Sequence, residues 1–169
     1  MYASDERGMD GGKKIKGRKR HIVTDTLGNI LAIVVHAGNI HDTKSGIDPA
    51  RKAYAAYPTI EKFCGDQGYR KSFIDMVYAE LGVGVDISER ISPQFVVLPK
   101  RWVVERTFAW LGNSRRLSKD YEISTVSSEN MIRISHIRVL YSNAYENNFL
   151  DLYALKDCVN HGLKTQHHN

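Results

Sequence analysis

Cysteine is scarce in this 169-residue chain, with Cys64 and Cys158 the only two. They lie far apart and in unlike surroundings, which excludes a disulfide framework and suits a reducing compartment. Long apolar runs are missing as well. The longest, residues 30–35, has the length of a strand and falls far short of the roughly 18 residues a membrane span requires. No apolar stretch follows the first charges, so no secretory signal is expected. His21, His36 and His136 lack the carboxylate or cysteine spacing of a zinc site and read as packing or surface groups. No internal repeat is visible. These absences leave a soluble, cytoplasmic protein with no membrane partner as the expectation.

What is present is globular in character. Hydrophobic residues make up 42% and charged residues 25% of the chain. That excludes disorder throughout and supports one domain with a real core. The net charge is +5, which favours an anionic partner. Its position says more than its size. Residues 1–20 hold seven basic groups (Arg7, Lys13, Lys14, Lys16, Arg18, Lys19, Arg20) against three acidic ones, and read as a basic loop or arm.

From His21 onward the pattern alternates between strands and helices. Residues 21–26 and 30–35 are β-branched runs around Gly28-Asn29, a hairpin signal. A helix is expected over 44–57, with Asp42 or Thr43 as its N-cap and Pro58 as its stop. Residues 60–65 form a short strand that runs straight into Asp66. Helical period over 70–81 ends at Gly82, suited to a C-terminal stop. Residues 83–87 are a further strand. Pro93 and Pro99 bracket a connector containing Phe95-Val96-Val97-Leu98. Two helices follow, over 101–117 and 128–144, the second capped from Ser127-Ser128-Glu129-Asn130. The order implies an α/β fold with a mixed sheet flanked by helices. The character turns Asn-rich from about residue 145, so 145–169 is expected to be an irregular tail.

Two carboxylates stand out in this basic chain. Asp66 sits at a strand end, where the backbone is fixed and the side chain can face solvent. Glu105 lies one turn into a helix, beside an apolar arc of Val103, Val104, Phe108 and Leu111. Carboxylates from separate elements suit Mg²⁺ or Mn²⁺, which take oxygen ligands and keep several waters. The plainer readings are a common Asp-x-Gly-Tyr turn and an i,i+4 pair between Arg101 and Glu105 worth a few tenths of a kcal/mol. Trp102 and Trp110 read as core or helix-packing residues, and Cys64 as buried.

Taken in combination, these segments carry a resemblance. Residues 12–28 (Gly12-Lys13-Lys14-Ile15-Lys16-Gly17-Arg18-Lys19-Arg20-His21 and onward to Gly28) look like the segment after the first catalytic strand in DDE transposases of bacterial insertion sequences, group five of the insertion-sequence-four superfamily. His36-Ala37-Gly38-Asn39-Ile40-His41-Asp42 resembles the next block of that family. Gly65-Asp66-Gln67-Gly68-Tyr69 is similar to its second-aspartate motif, and residues 101–111 to its glutamate motif. The resemblance runs from about residue 8 to 140, in the family's order.

It implies an RNase H-like fold and metal-dependent cleavage and transfer of DNA strands at element ends. Asp66 and Glu105 become the second and third catalytic, metal-binding carboxylates, with Mg²⁺ or Mn²⁺ as cofactor. Lys13, Lys14, Lys16, Arg18, Lys19, Arg20, Arg101, Arg106, Arg115 and Arg116 become contacts to the phosphates of double-stranded DNA. Two positions depart from the family's glutamate signature. Its tyrosine falls at Leu98 and its lysine at Gly112. The family's first aspartate, on a strand upstream of the basic run, has no counterpart. Asp25 matches the hairpin-turn aspartate instead. The expectation is therefore a partial catalytic domain over 21–144, lacking its first strand and feeble by itself. It would act as a homo-oligomer or with the missing N-terminal part. Two rivals stand beside it: a non-catalytic DNA-binding remnant that inhibits transposition, and a decayed product that does not fold stably.

Overall fold

The computed structural model describes residues 7–10, 14–70, 72–88 and 99–160. Its β-branched runs pair as their pattern demands. β1 (Gly8–Asp10), β2 (Ile15–Thr24) and β3 (Ile30–Ala37) form an antiparallel sheet in that order. His21 stands opposite Val34 and Ile22 opposite Ile33. Gly28 turns the chain with φ +93°, a conformation glycine adopts without strain. Asp25 ties this turn: its Oδ1 accepts from Leu27 N at 2.9 Å and Asn29 N at 2.8 Å, and its Oδ2 from Asn29 Nδ2 at 2.8 Å. The Asp25 carboxylate is thus occupied in holding the hairpin.

β2 begins at Ile15, six residues before the expected strand. Most of the basic run is therefore strand rather than arm. β3 supplies the reason, since its pairing continues from Thr24 down to Arg18 opposite Ala37.

Alternate side chains of β3 enter two cores, as the strand period requires. Ala32 joins Ile47, Ala50, Ala53, Phe63, Phe73, Val77 and Val83 on one face. Ile33 and Val35 join Leu111, Leu117 and Ile132 on the other. The first core is covered by α2 (Ile47–Ala56) and α3 (Ser72–Leu81), the second by α4 (Pro99–Gly112) and α5 (Thr125–Asn160). The single helix expected over 44–57 is split: α1 (Asp42–Ser45) precedes α2, with Gly46 between. The N-cap is His41, which accepts from Thr43 N, in place of Asp42 or Thr43. Pro49 stays in the first turn of α2, where its missing N–H costs nothing. Gly82, at φ +67°, closes α3 by donating to the Tyr78 carbonyl at 3.0 Å.

β4 (Lys62–Gly65) and β5 (Gly84–Ile87) pair in parallel on either side of α3. One mixed sheet was the expectation, and two small sheets are found. Among the described residues no strand pairing joins the three-stranded sheet to the β4–β5 pair. α4 spans the division, touching both β2 and β4.

Two further differences concern the C-terminal half. α5 starts earlier than expected because Ser124 Oγ accepts from Ser127 N at 3.1 Å. It also continues to Asn160 through part of the expected tail, along a stretch with neither glycine nor proline to stop it. The connector 95–98, with Leu98, lies outside the described residues. No described helix is long and apolar enough to cross a membrane.

Candidate functional site

Asp66 follows β4 directly and caps the 3₁₀ turn Gln67–Tyr69. Its Oδ1 accepts from Gly68 N at 2.8 Å, and its carbonyl accepts from Tyr69 N at 3.1 Å. The side chain is exposed, as strand-end presentation requires. A second carboxylate stands beside it. A β-carbon built on Gly68 would lie 3.0 Å from Asp66 Oδ1 and 3.8 Å from Asp42 Oδ2. Both carboxylates therefore border the space beside Gly68. Lys19 Nζ donates to Asp42 Oδ1 at 3.1 Å and to the Ile40 carbonyl, also at 3.1 Å.

Beneath these carboxylates lies a buried polar cluster. His21, on β2, is only 6% exposed. Its Nδ1 lies 2.6 Å from the Tyr69 hydroxyl and its Nε2 3.2 Å from Ser45 Oγ. Burial and the neighbouring His36 push its pKa down to about 4, so the ring is neutral. Burial and the Asp42 and Asp66 carboxylates push the Tyr69 pKa up, so its hydroxyl keeps its proton. Ser45 Oγ donates to the His41 carbonyl at 3.2 Å, and Asp42 Oδ1 lies 3.9 Å from His21 Nε2. These acceptors place the imidazole proton on Nε2. Tyr69 O–H then donates to Nδ1, and Nε2–H donates to Ser45. The Tyr69 ring is wedged against Gly46, whose β-carbon would meet its Cε1 at 2.5 Å. Glycine at 46 is therefore a matter of room for that ring.

Glu105 lies on α4 with its side chain exposed. The helix is turned relative to the expected apolar arc. Thr107 and Leu111 are buried, Val103 and Val104 half-buried, and Phe108 is 37% exposed. Thr107 decides the rotation, because its Oγ1 reaches the Gly28 carbonyl at 3.1 Å. Arg106 Cζ stacks 4.6 Å from the rings of both Trp102 and Trp110, and its guanidinium donates to the Leu27 carbonyl at 2.6 Å. The two tryptophans thus clamp an arginine, and Trp102 is 44% exposed rather than core. Cys64, expected to be buried, is exposed.

Strand alternation divides the basic run between two faces of β2. Lys19 and His21 face α1. Arg18 and Arg20 face the segment before α5. The Arg18 side chain is 2% exposed. It donates to Asp120 Oδ1 at 3.3 Å and to the Glu122 and Ile123 carbonyls at 3.0 and 2.7 Å. Arg20 donates to the Leu117 carbonyl at 3.1 Å. Lys14 and Lys16 are exposed. Arg115, Arg116 and Tyr121 line an open pocket, with Arg116 Nε paired to Glu122 Oε1 at 2.7 Å. Lys13 and the Arg101 side chain lie outside the described residues.

A family model described as the transposase DDE domain matches residues 2–140. The chain belongs to the transposase DDE-domain family. A protein of Burkholderia cepacia assigned as a transposase for insertion sequence element IS402 is 32% identical over 114 residues, covering 63% of this chain and 54% of its own length. This DDE-domain chain thus spans about half of that curated relative. No solved structure matches it.

Among the described residues, no group of three or more His, Cys, Asp or Glu side chains is arranged to hold a metal ion. What the site offers is two carboxylates beside Gly68, exposed Asp66 and half-buried Asp42, oxygen donors of the kind hard divalent cations select. From the sequence Asp42 reads as a helix cap and His21 as a packing or surface group, and neither they nor Tyr69 are given a place at the site. The signal available was their placement inside the blocks that carry the resemblance, His36 to Asp42 and Gly65 to Tyr69.

Proposed function

We propose that this chain is part of the catalytic domain of an insertion-sequence transposase, acting in metal-dependent cleavage and transfer of DNA strands at element ends. Group five of the insertion-sequence-four superfamily is the subgroup its motifs resemble. One observation carries the reading: Asp66 is presented at the end of β4, the strand against which the helix bearing Glu105 packs. Asp66 and Glu105 would hold Mg²⁺ or Mn²⁺. Bound there, such an ion would make water or a 3′ hydroxyl a better nucleophile and would stabilise the departing oxygen of the phosphodiester. The chain's own part is to fix Asp66 through the Gly68 amide and to hold phosphates with basic side chains.

An RNase H-like architecture belongs to the same proposal. The antiparallel trio and the parallel pair would then be two parts of one mixed sheet, joined by one further strand between the two sheets. In this reading the domain runs from β2 into α5 and works with a second copy or with the segment that supplies the joining strand.

The test is nicking and joining of DNA carrying the element's ends, in Mn²⁺, by this chain and by a version extended upstream through the expected first aspartate. The extended version should act, and Asp66→Ala or Glu105→Ala should abolish its activity. DNA binding without metal-dependent cleavage in either version would favour the inhibitor reading. Activity of the short chain alone would reopen the assignment of the remaining ligand.

A further inference from the structure

The orientation of Asp66 depends on a turn with little to hold it. A three-residue 3₁₀ turn has poor hydrogen-bond geometry of its own, and β4 before it has only four residues. With Oδ1 bonded to Gly68 N, the carboxylate goes where the turn goes. The turn is anchored at its last residue. The Tyr69 ring packs on Phe73 with centroids 5.1 Å apart, and on Gly46. Its hydroxyl meets His21, a residue of another sheet. The same imidazole bonds Ser45 of α1, the helix whose first residue is Asp42. One buried ring on β2 therefore ties together the two elements that present the adjacent carboxylates.

We propose that His21 and Tyr69 are positioning residues: the hydrogen bond from the Tyr69 hydroxyl to His21 Nδ1 sets the place and direction of the Asp66 carboxylate. The inference rests on the reading of Asp66 as a metal-binding residue. Neither side chain touches the ion or the DNA. They act through the turn, as outer partners of metal ligands do elsewhere, where their loss costs 10- to 100-fold in affinity.

The test uses the full chain, ¹⁵N-labelled and titrated with Mn²⁺, reading paramagnetic broadening of the Gly68 amide well below the unfolding temperature. Tyr69→Phe removes only the hydroxyl and should raise the Mn²⁺ midpoint about tenfold. His21→Leu removes the acceptor and should do the same. His21→Asn puts a carbonyl oxygen close to the place of Nδ1 and should restore the native midpoint. A purely structural role would lower the thermal midpoint and leave the Mn²⁺ midpoint alone. Asp66→Ala separates the two levels. If it abolishes the broadening while Tyr69→Phe and His21→Leu leave it native, the positioning role is wrong and the metal reading stands. If His21→Asn fails as His21→Leu does, the role is also overturned. If Asp66→Ala itself changes nothing, the metal reading fails, and the inference with it.

Discussion

At the scale of the residue, two histidines make the folded chain sensitive to acid. His21 is buried and accepts the Tyr69 hydroxyl on Nδ1. His136 is 6% exposed, and its Nε2 accepts from Ile30 N at 3.0 Å. Burial lowers the pKa of both, that of His21 to about 4 from 6.5. The folded state therefore holds fewer protons than the unfolded chain between those two values. The neutral ring's contribution is full above pH 6.5, declines as pH falls, and is gone below about 4. For His21 alone this shift is worth about 3 kcal/mol at 1.36 kcal/mol per pH unit. Urea unfolding at pH 7.5, 6, 5 and 4.5 should show stability falling steadily. Tyr69→Phe should flatten the decline by weakening the preference for neutral His21. A stability constant from pH 7.5 to 5 would show that neither ring is held neutral.

At the scale of the element, α4 is set by contacts made far away in sequence. Thr107 Oγ1 bridges the Val103 carbonyl at 3.0 Å and the Gly28 carbonyl at 3.1 Å, the second 79 residues distant. Thr107→Val keeps the shape and removes the donor. It should cost about 1–2 kcal/mol, the net worth of a buried hydrogen bond plus an acceptor left unpaired. Chemical denaturation measures it, and an unchanged midpoint would mean that apolar packing alone sets the rotation. This contact also explains what the sequence did and did not disclose. The β2–β3 hairpin and α3 were legible because their period and their Gly28 and Gly82 stops are local chemistry. The rotation of α4 was not, because Val103, Val104, Phe108 and Leu111 form an acceptable apolar arc until a hydroxyl finds a carbonyl in another element. The same holds at the site. Asp66 was readable from its strand end, whereas Asp42 read as a helix cap, and only folding sets it beside Gly68. The basic run showed its charge but not its direction. Ten residues of strand send alternate side chains to opposite faces, and composition cannot report that.

For the whole molecule, burial separates cations that build the protein from cations that face outward. Arg18 fastens β2 to residues 120–123 with a nearly buried guanidinium. Lys14 and Lys16 are exposed, and Arg115 and Arg116 line an open pocket. A DNA partner would release counterions only where accessible cations meet phosphates, and each such contact steepens the dependence of log affinity on log salt by about 0.9. Lys16→Ala and Arg115→Ala should each reduce that slope by about one while leaving the thermal midpoint unchanged. Arg18→Ala should behave in the opposite way. It removes hydrogen bonds from a charged donor and leaves Asp120 with less compensation, costing about 2–3 kcal/mol of stability, while the slope stays as it was. The paired measurement is binding of a duplex at 50–300 mM salt together with a thermal melt for each variant. If Arg18→Ala lowered the slope without lowering the melt, its guanidinium would be leaving its carbonyl partners to meet phosphate, and Arg18 would join Lys16 in one DNA-binding face of β2.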